Sequence, residues 1–308
     1  MSHVATLISH PDRPAVTEAV AARVARALPQ GREAVWLAPG IAIDVMFEAD
    51  DQTITPASAA KRLAGALRDI IGAEPVDFVI QQQDARRKKL LVADMDSTMI
   101  GQECIDELAD YAGFKARVAA ITERAMRGEI AFAPALRERV ALLKGLPVST
   151  IDKVIAERIR PNSGAATLVR TMRANGSYTC VVTGGFTAFM VPLAAAIGFD
   201  ESRANTLLVD GAGRLTGEVA EPVLGREAKC DTLLTLRQRL RLRREETLAV
   251  GDGANDAQMI EAAGLGIAFH AKPVLREVTG ACIDHGDLTA LLYAQGYRRE
   301  EFVETVAS

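Results

Sequence analysis

Leu90-Leu91-Val92-Ala93-Asp94-Met95-Asp96-Ser97-Thr98 is the stretch on which the fold turns. Four apolar residues in a row, with no polar alternation, read as a strand buried on both faces, the kind found in parallel sheets. Two acids follow at once. Val181-Val182, Leu248-Ala249-Val250 and Gly266-Ile267-Ala268-Phe269 are short apolar runs of the same character. Helical stretches lie between them, such as Gly164 to Ala174, with Leu168 and Met172 on one face. Alternating β and α elements point to an α/β fold with a doubly wound parallel sheet. Residues 104–159 interrupt this alternation. They read as helix throughout, broken at Gly113, Gly128 and Gly145-Leu146-Pro147 into about four helices, an insertion after the first strand. Further on, Asn205–Val209 and Arg214–Val219 flank Asp210-Gly211-Ala212-Gly213, the pattern of a β-hairpin.

Upstream, residues 1–83 form a different unit. Val4 to Ser9 and Ala34 to Ala38 are candidate strands, the second ended by Pro39-Gly40. Ile43, Val45 and Phe47 alternate with Asp44, Met46 and Glu48, which is strand spacing with one polar face. Val76, Phe78 and Ile80 alternate again. Val16, Val20, Val24 and Leu28 mark one helix face. Leu63, Leu67, Ile70 and Ile71 mark another, which Ser58 would cap and Gly72 would end. The order is βαββαβ, a ferredoxin-like α+β arrangement. It resembles the ACT regulatory module, an amino-acid sensor, although Ala15 stands where such a module has a glycine at the first strand-to-helix turn. Gln81 to Lys89 reads as a linker whose basic run Arg86-Arg87-Lys88-Lys89 is a solvated surface. The domains expected are thus 1–83 and 84–308, the latter a core of 84–103 and 160–308 with a helical cap of 104–159.

Composition bounds the function. The 308 residues are 49% apolar and 25% charged, which excludes a disordered chain, a collagen and a coiled-coil rod. The net charge of −4 argues against a broad nucleic-acid surface. The longest apolar run, Phe189 to Phe199, is 11 residues with a proline inside, whereas a spanning helix needs about 18. No membrane segment or signal peptide is expected, and the cytoplasm is the expected location. Cys104, Cys180, Cys230 and Cys282 lack CxxC spacing and read as reduced, mostly buried thiols. His3, His10, His270 and His285 have no ligand spacing and read as surface or loop residues.

The chemistry gathers where the predicted strands end. The first runs into Asp94 and Asp96, the second into Thr183-Gly184-Gly185, and another into Gly251-Asp252-Gly253-Ala254-Asn255-Asp256. Carboxyl ends of parallel strands are where doubly wound folds bind ligands. Four carboxylates in one crevice repel one another and call for a cation. Hard oxygen donors suit Mg²⁺, which takes few carboxylates together with water and substrate phosphate. A carboxylate such as Asp94 can then attack phosphorus, while Asp96 protonates the leaving oxygen and later activates water. Thr183 and the amides after it can hold phosphate oxygens, and Lys229 can answer developing negative charge. Asp252 and Asp256 alone would also fit a turn.

Together, the Asp94–Thr98 segment, Thr183-Gly184-Gly185, Lys229 and the 251–256 segment resemble the four ordered motifs of the haloacid dehalogenase phosphatase superfamily. The finer resemblance, over about residues 86 to 290, is to the phosphoserine phosphatase family. Gln102-Glu103-Cys104-Ile105-Asp106-Glu107-Leu108-Ala109 is similar to the segment carrying that family's substrate-binding glutamate. Phe132 to Val140 is similar to the cap segment with its carboxylate-binding arginine, by position Arg139. The resemblance implies Asp94 as nucleophile and Asp96 as general acid/base. Asp94, the Asp96 backbone carbonyl and Asp252 would hold Mg²⁺. Thr183, Gly184, Lys229 and Asn255 would hold the phosphate. Glu103 would take the α-ammonium of O-phospho-L-serine, Arg139 its α-carboxylate, and Met126 and Phe132 would seal the site. Asp256 either orients Lys229 or joins the metal. Thr183 stands where serine is commoner in the family. The expected substrate is a small molecule, with no nucleic-acid or membrane partner, and a homodimer is left open. The alternatives are a related phosphatase or phosphotransferase on another small amino-acid phosphate, and a non-catalytic amino-acid sensor.

Overall fold

The computed structural model describes residues 2–31, 34–49, 57–126 and 129–304, with backbone alone for 57–61 and Met126. The chain begins β1 (Ser2–Ile8), α1 (Glu18–Ala27), β2 (Ala34–Ala38), β3 (Ala42–Glu48), α2 (Ala57–Ile71) and β4 (Asp77–Gln82). Thr17 rather than Val16 sets the start of α1, its hydroxyl accepting from Val20 N at 3.2 Å. Ser58 lies inside α2 rather than capping it, while Gly72 (φ +68°) ends that helix. The four strands pair antiparallel in the order β2-β3-β1-β4. Ala5, Leu7, Ile43, Val45 and Phe47 pack under α1 and α2.

The parallel part follows. β5 (Leu90–Ala93) is buried at all four positions. After it come α3 (Cys104–Tyr111), α4 (Lys115–Met126), α5 (Phe132–Ala141) and α6 (Ser149–Arg158), the four helices of the insertion, in which Gly128 lies outside the described residues. The chain then runs through α7 (Ala165–Ala174), β6 (Tyr178–Phe186), α8 (Thr187–Ile197), β7 (Glu201–Asn205), β8 (Leu207–Val209), β9 (Leu215–Val219) and α9 (Glu227–Arg239). It finishes with β10 (Thr247–Gly251), α10 (Ala257–Ala262), β11 (Leu265–Phe269), α11 (Pro273–Arg276), β12 (Ala281–Ile283) and α12 (Ala290–Ala294). The order β12-β11-β10-β5-β6-β7 is parallel throughout, the mostly parallel sheet of an α/β core. The β8–β9 hairpin is separate from this sheet. It joins the inserted helices, through Gly145 N to Leu215 O at 2.8 Å and Val148 N to Gly213 O at 3.0 Å.

Both sets of strands form one ten-stranded sheet, joined where Phe78 of β4 pairs antiparallel with Cys282 of β12. The face of β3 that the alternation marks as polar is therefore covered at Asp44, while Met46 and Glu48 stay half-buried. Asp44 is buried and shares its oxygens with Thr6 Oγ1 (2.8 Å) and both terminal nitrogens of Arg86 (2.6 Å each). Arg86 also donates to the carbonyls of Ala294 and Tyr293. Lys88 is buried as well, its ammonium held by the carbonyls of Ala85 and Glu245, so half of the basic run is internal. The solvated reading fails for these two residues because a charged group can be buried where carbonyls and carboxylates answer its donors. Asp77 makes the complementary link, accepting backbone N–H groups from Asp284, His285 and Gly286. His3 also departs from the surface reading, being buried against Phe47. No helix among the described residues is long and apolar enough to cross a membrane.

Candidate active site

The carboxyl ends of β5, β6 and β10 come together at one edge of the sheet. Past β5 the backbone makes a wide helical turn over Met95–Met99, closed by Ile100 N to Met95 O at 3.1 Å, with Ser97 left-handed at φ +55°. This turn sends Asp94 and Asp96 in different directions. Asp94 is buried, and its Oδ1 accepts from Met95 N (2.7 Å) and pairs with Lys229 Nζ (2.7 Å). Asp96 Oδ1 accepts from Cys104 N (3.0 Å), and its Oδ2 accepts from Thr183 Oγ1 (3.0 Å). Thr183 in turn accepts from Gly185 N at 2.9 Å. β6 runs on through Thr183-Gly184-Gly185 instead of stopping before them, its pairing with β7 slipping between Val182 and Phe186.

Lys229, in the first turn of α9, also reaches Asp256 Oδ1 at 2.7 Å. The other oxygen of Asp256 accepts from Gly253 N at 3.1 Å. Gly251 makes this possible, since a Cβ there would lie 2.3 Å from Asp256 Cγ. Asp252 pairs with Lys272, Oδ2 to Nζ at 3.1 Å, and its carbonyl accepts from Lys272 N at 2.9 Å. Asn255 is exposed at the rim, in the turn after Gly253.

Oxygens of Asp94, Asp252 and Asp256 lie within 4.8 Å of one another. Burial, and then the charge of Asp256, push the Asp94 carboxyl well above its usual range against the pull of Lys229. Burial also raises Asp96. Burial alone would lower Lys229, but Asp94 and Asp256 hold it charged. Among the described residues, Lys229 and Lys272 are the cations paired with Asp94, Asp252 and Asp256, so the carboxyl groups of the cluster, with Asp96, outnumber its cations. Hard oxygen donors with that charge fit one divalent cation such as Mg²⁺.

Glu103 and Arg139 sit beside this cluster. Glu103 accepts from Ser97 Oγ at 2.8 Å, and burial with the charge of Asp96 pushes its carboxyl up to about 7. Arg139, on α5, is lowered by burial and held charged by Asp106 and Glu103. Seven residues earlier on α5, Phe132 lies over Gly184, where a Cβ would come 2.8 Å from the ring. Glycine is what allows the insertion to approach the strand end so closely. The side chain of Met126 lies outside the described residues. Lys272, Asp106 and Ser97 are neighbours that sequence reasoning missed. The findable signal was for Lys272, which follows the carboxyl end of β11 as Asp252 follows that of β10.

The family described as haloacid dehalogenase-like hydrolase matches residues 91–261. Phosphoserine phosphatase SerB2 of Mycobacterium tuberculosis is 42% identical over 273 residues, covering 85% of this chain and 66% of its own. A phosphoserine phosphatase of Streptomyces coelicolor is 38% identical over 305 residues, covering 96% of this chain and 71% of its own. This chain therefore spans about two thirds of the length of these relatives. A solved structure described as a phospho-aspartyl intermediate analogue of phosphoserine phosphatase superposes with a TM-score of 0.62 at 42% identity, covering 67% of this chain and 98% of its own. On the matched motifs and on this similarity, the chain belongs to the haloacid dehalogenase-like hydrolases and, among them, to the phosphoserine phosphatase family.

Proposed function

We propose that the chain hydrolyses O-phospho-L-serine to L-serine and phosphate, the last step of serine biosynthesis, through an aspartyl-phosphate on Asp94. The observation that carries this reading is the asymmetry of Asp94. Both polar contacts to its carboxylate among the described residues fall on Oδ1, so Oδ2 is the oxygen left to attack phosphorus. As the P–O bond to serine breaks, Asp96 gives its proton to the departing serine oxygen; its raised pKa supports an acid at that point. Asp96 then takes a proton from the water that cleaves the aspartyl-phosphate, which returns Asp94 and releases phosphate. Thr183, the amide of Gly184, Lys229 and Asn255 hold phosphate oxygens. Asp94, the Asp96 carbonyl and Asp252 would hold Mg²⁺, and Asp256 orients Lys229, since each of its oxygens already carries a bond. When bound, the cation draws charge from the phosphoryl oxygens. Glu103 accepts from the substrate ammonium and Arg139 pairs with its carboxylate, a planar fork suited to that group.

In this reading residues 104–159 are a cap that excludes water in the first step, with Phe132 as its seal against Gly184. Residues 1–83 are an ACT-like unit, and 84–103 with 160–308 form the core. Four free cysteines, three of them buried, support a reducing, cytoplasmic setting. Phosphate release from O-phospho-L-serine, measured with Mg²⁺ and with EDTA, tests the reaction. Metal-dependent turnover that Asp94→Asn abolishes is expected. Turnover that survives in Asp94→Asn would refute the nucleophile, and a better rate on a sugar phosphate would refute the substrate.

A further inference from the structure

The two lysines that answer the carboxylate cluster differ in one respect. The side chain of Lys229 is 3% exposed and bonded to two acids, so it has nowhere to go. That of Lys272 is 53% exposed and, among the described residues, pairs with Asp252 alone, Oδ2 at 3.1 Å. A lysine on that footing leaves its partner by rotating into water, at the cost of one partly screened ion pair. Its backbone, by contrast, is fixed. Lys272 N–H donates to the carbonyl of Asp252 at 2.9 Å, and Pro273 opens α11 directly after it. His270, left-handed at φ +44°, is tied by its N–H to Ile283 O (2.8 Å) and through Nε2 to Gly286 O (3.0 Å). The ammonium is thus anchored within reach of Asp252, yet free to swing away. It also lies within the field of Glu103 and Asp94.

We propose that Lys272 is a displaceable counter-ion that competes with a divalent, oxygen-seeking cation for Asp252 and so sets the cation affinity of the site. This rests on the metal reading of Asp94 and Asp252 given above. The ammonium occupies one oxygen of the carboxylate a cation would use, and its positive charge repels the incoming ion. While the cation is away, it limits repulsion among the clustered acids. It is a positioning group and takes no part in bond making.

Direct Mn²⁺ binding to the metal-stripped full chain, followed by the electron paramagnetic resonance signal of free Mn²⁺, tests the idea without reference to turnover. Lys272→Met is expected to bind Mn²⁺ about tenfold more tightly than the parent chain, because one nearby unit charge is removed. Lys272→Arg keeps the charge and is expected to stay near the parent affinity. Unchanged or weaker binding in Lys272→Met, with Asp252→Asn still abolishing binding, overturns the counter-ion role and leaves the metal site standing. A parent chain that binds no Mn²⁺, or binds it equally well as Asp252→Asn, overturns the metal reading and this inference together.

Discussion

Glu103 illustrates how single residues acquire chemistry from their surroundings. Its carboxyl is pushed up to about 7 by burial and by the charge of Asp96. In the proposed function it is a carboxylate above that pH and attracts the substrate ammonium; below it, the neutral acid loses that pull. kcat/KM for O-phospho-L-serine is therefore expected to fall on the acid side, with a midpoint no higher than about 7, since a bound cation only lowers it. Glu103→Gln should reduce kcat/KM by about 10- to 100-fold and remove the Glu103 part of this acid limb, while sparing a phosphate ester without an ammonium. pH profiles on the two substrates check both points, and equal losses on both would contradict the assignment. Asp94, Asp96 and Asp252 were legible in the sequence because they closely follow short apolar strands, and Lys229 through its place among the ordered motifs of the family it resembles. Asp106 was not, because an isolated acid becomes meaningful only when another segment is folded against it, and Lys272 had only its place after β11 to mark it.

At the scale of elements, helix α5 carries the specificity in the proposed function. Phe132 and Arg139 are seven residues apart, two turns, and so share one helix face. The β8–β9 hairpin braces the same helices through the bonds at Gly145 and Val148. Phe132→Ala should lower kcat/KM for O-phospho-L-serine by about tenfold and cost about 1–3 kcal/mol, because the ring is half-buried and packs into the core beneath the insertion. Steady-state kinetics and a thermal melt measure the two effects, and an unaltered rate would show that the ring does not seal the site. The helix breaks were readable from glycines and Pro147. Strand β7, Glu-Ser-Arg-Ala-Asn, was not, because an edge strand half-open to water needs no apolar pattern. The hairpin was readable as a hairpin, but its attachment to the inserted helices rests on backbone bonds that leave no mark on side-chain pattern.

Across the whole molecule, the first 83 residues and the rest are bound by more than a linker. They share a sheet, a hydrophobic core, the buried Asp44–Arg86 ion pair and the backbone bonds to the Asp77 carboxylate. Sequence pattern cannot reveal this, since each strand's alternation is equally consistent with one covered face or two. Asp77→Ala leaves three backbone donors without an acceptor and is expected to cost about 3 kcal/mol or more. Calorimetry of the full chain should find one cooperative transition, lowered by several degrees in this variant. Two transitions, with only one of them moved, would mean that the units unfold independently.

The shared core also imposes an order on synthesis. Ile8, Ala42 and Val79 lie on the sheet face that packs with Leu291, Leu292 and Tyr293 near the other end of the chain. At about 5–20 residues per second, the roughly 200 residues between them take about 10–40 s to emerge from the ribosome. For that interval the nascent sheet presents one unfinished face. Thr6 and Asp44, set among its apolar residues, give that face polar groups that water can satisfy until Arg86 and then the segment around α12 replace the water.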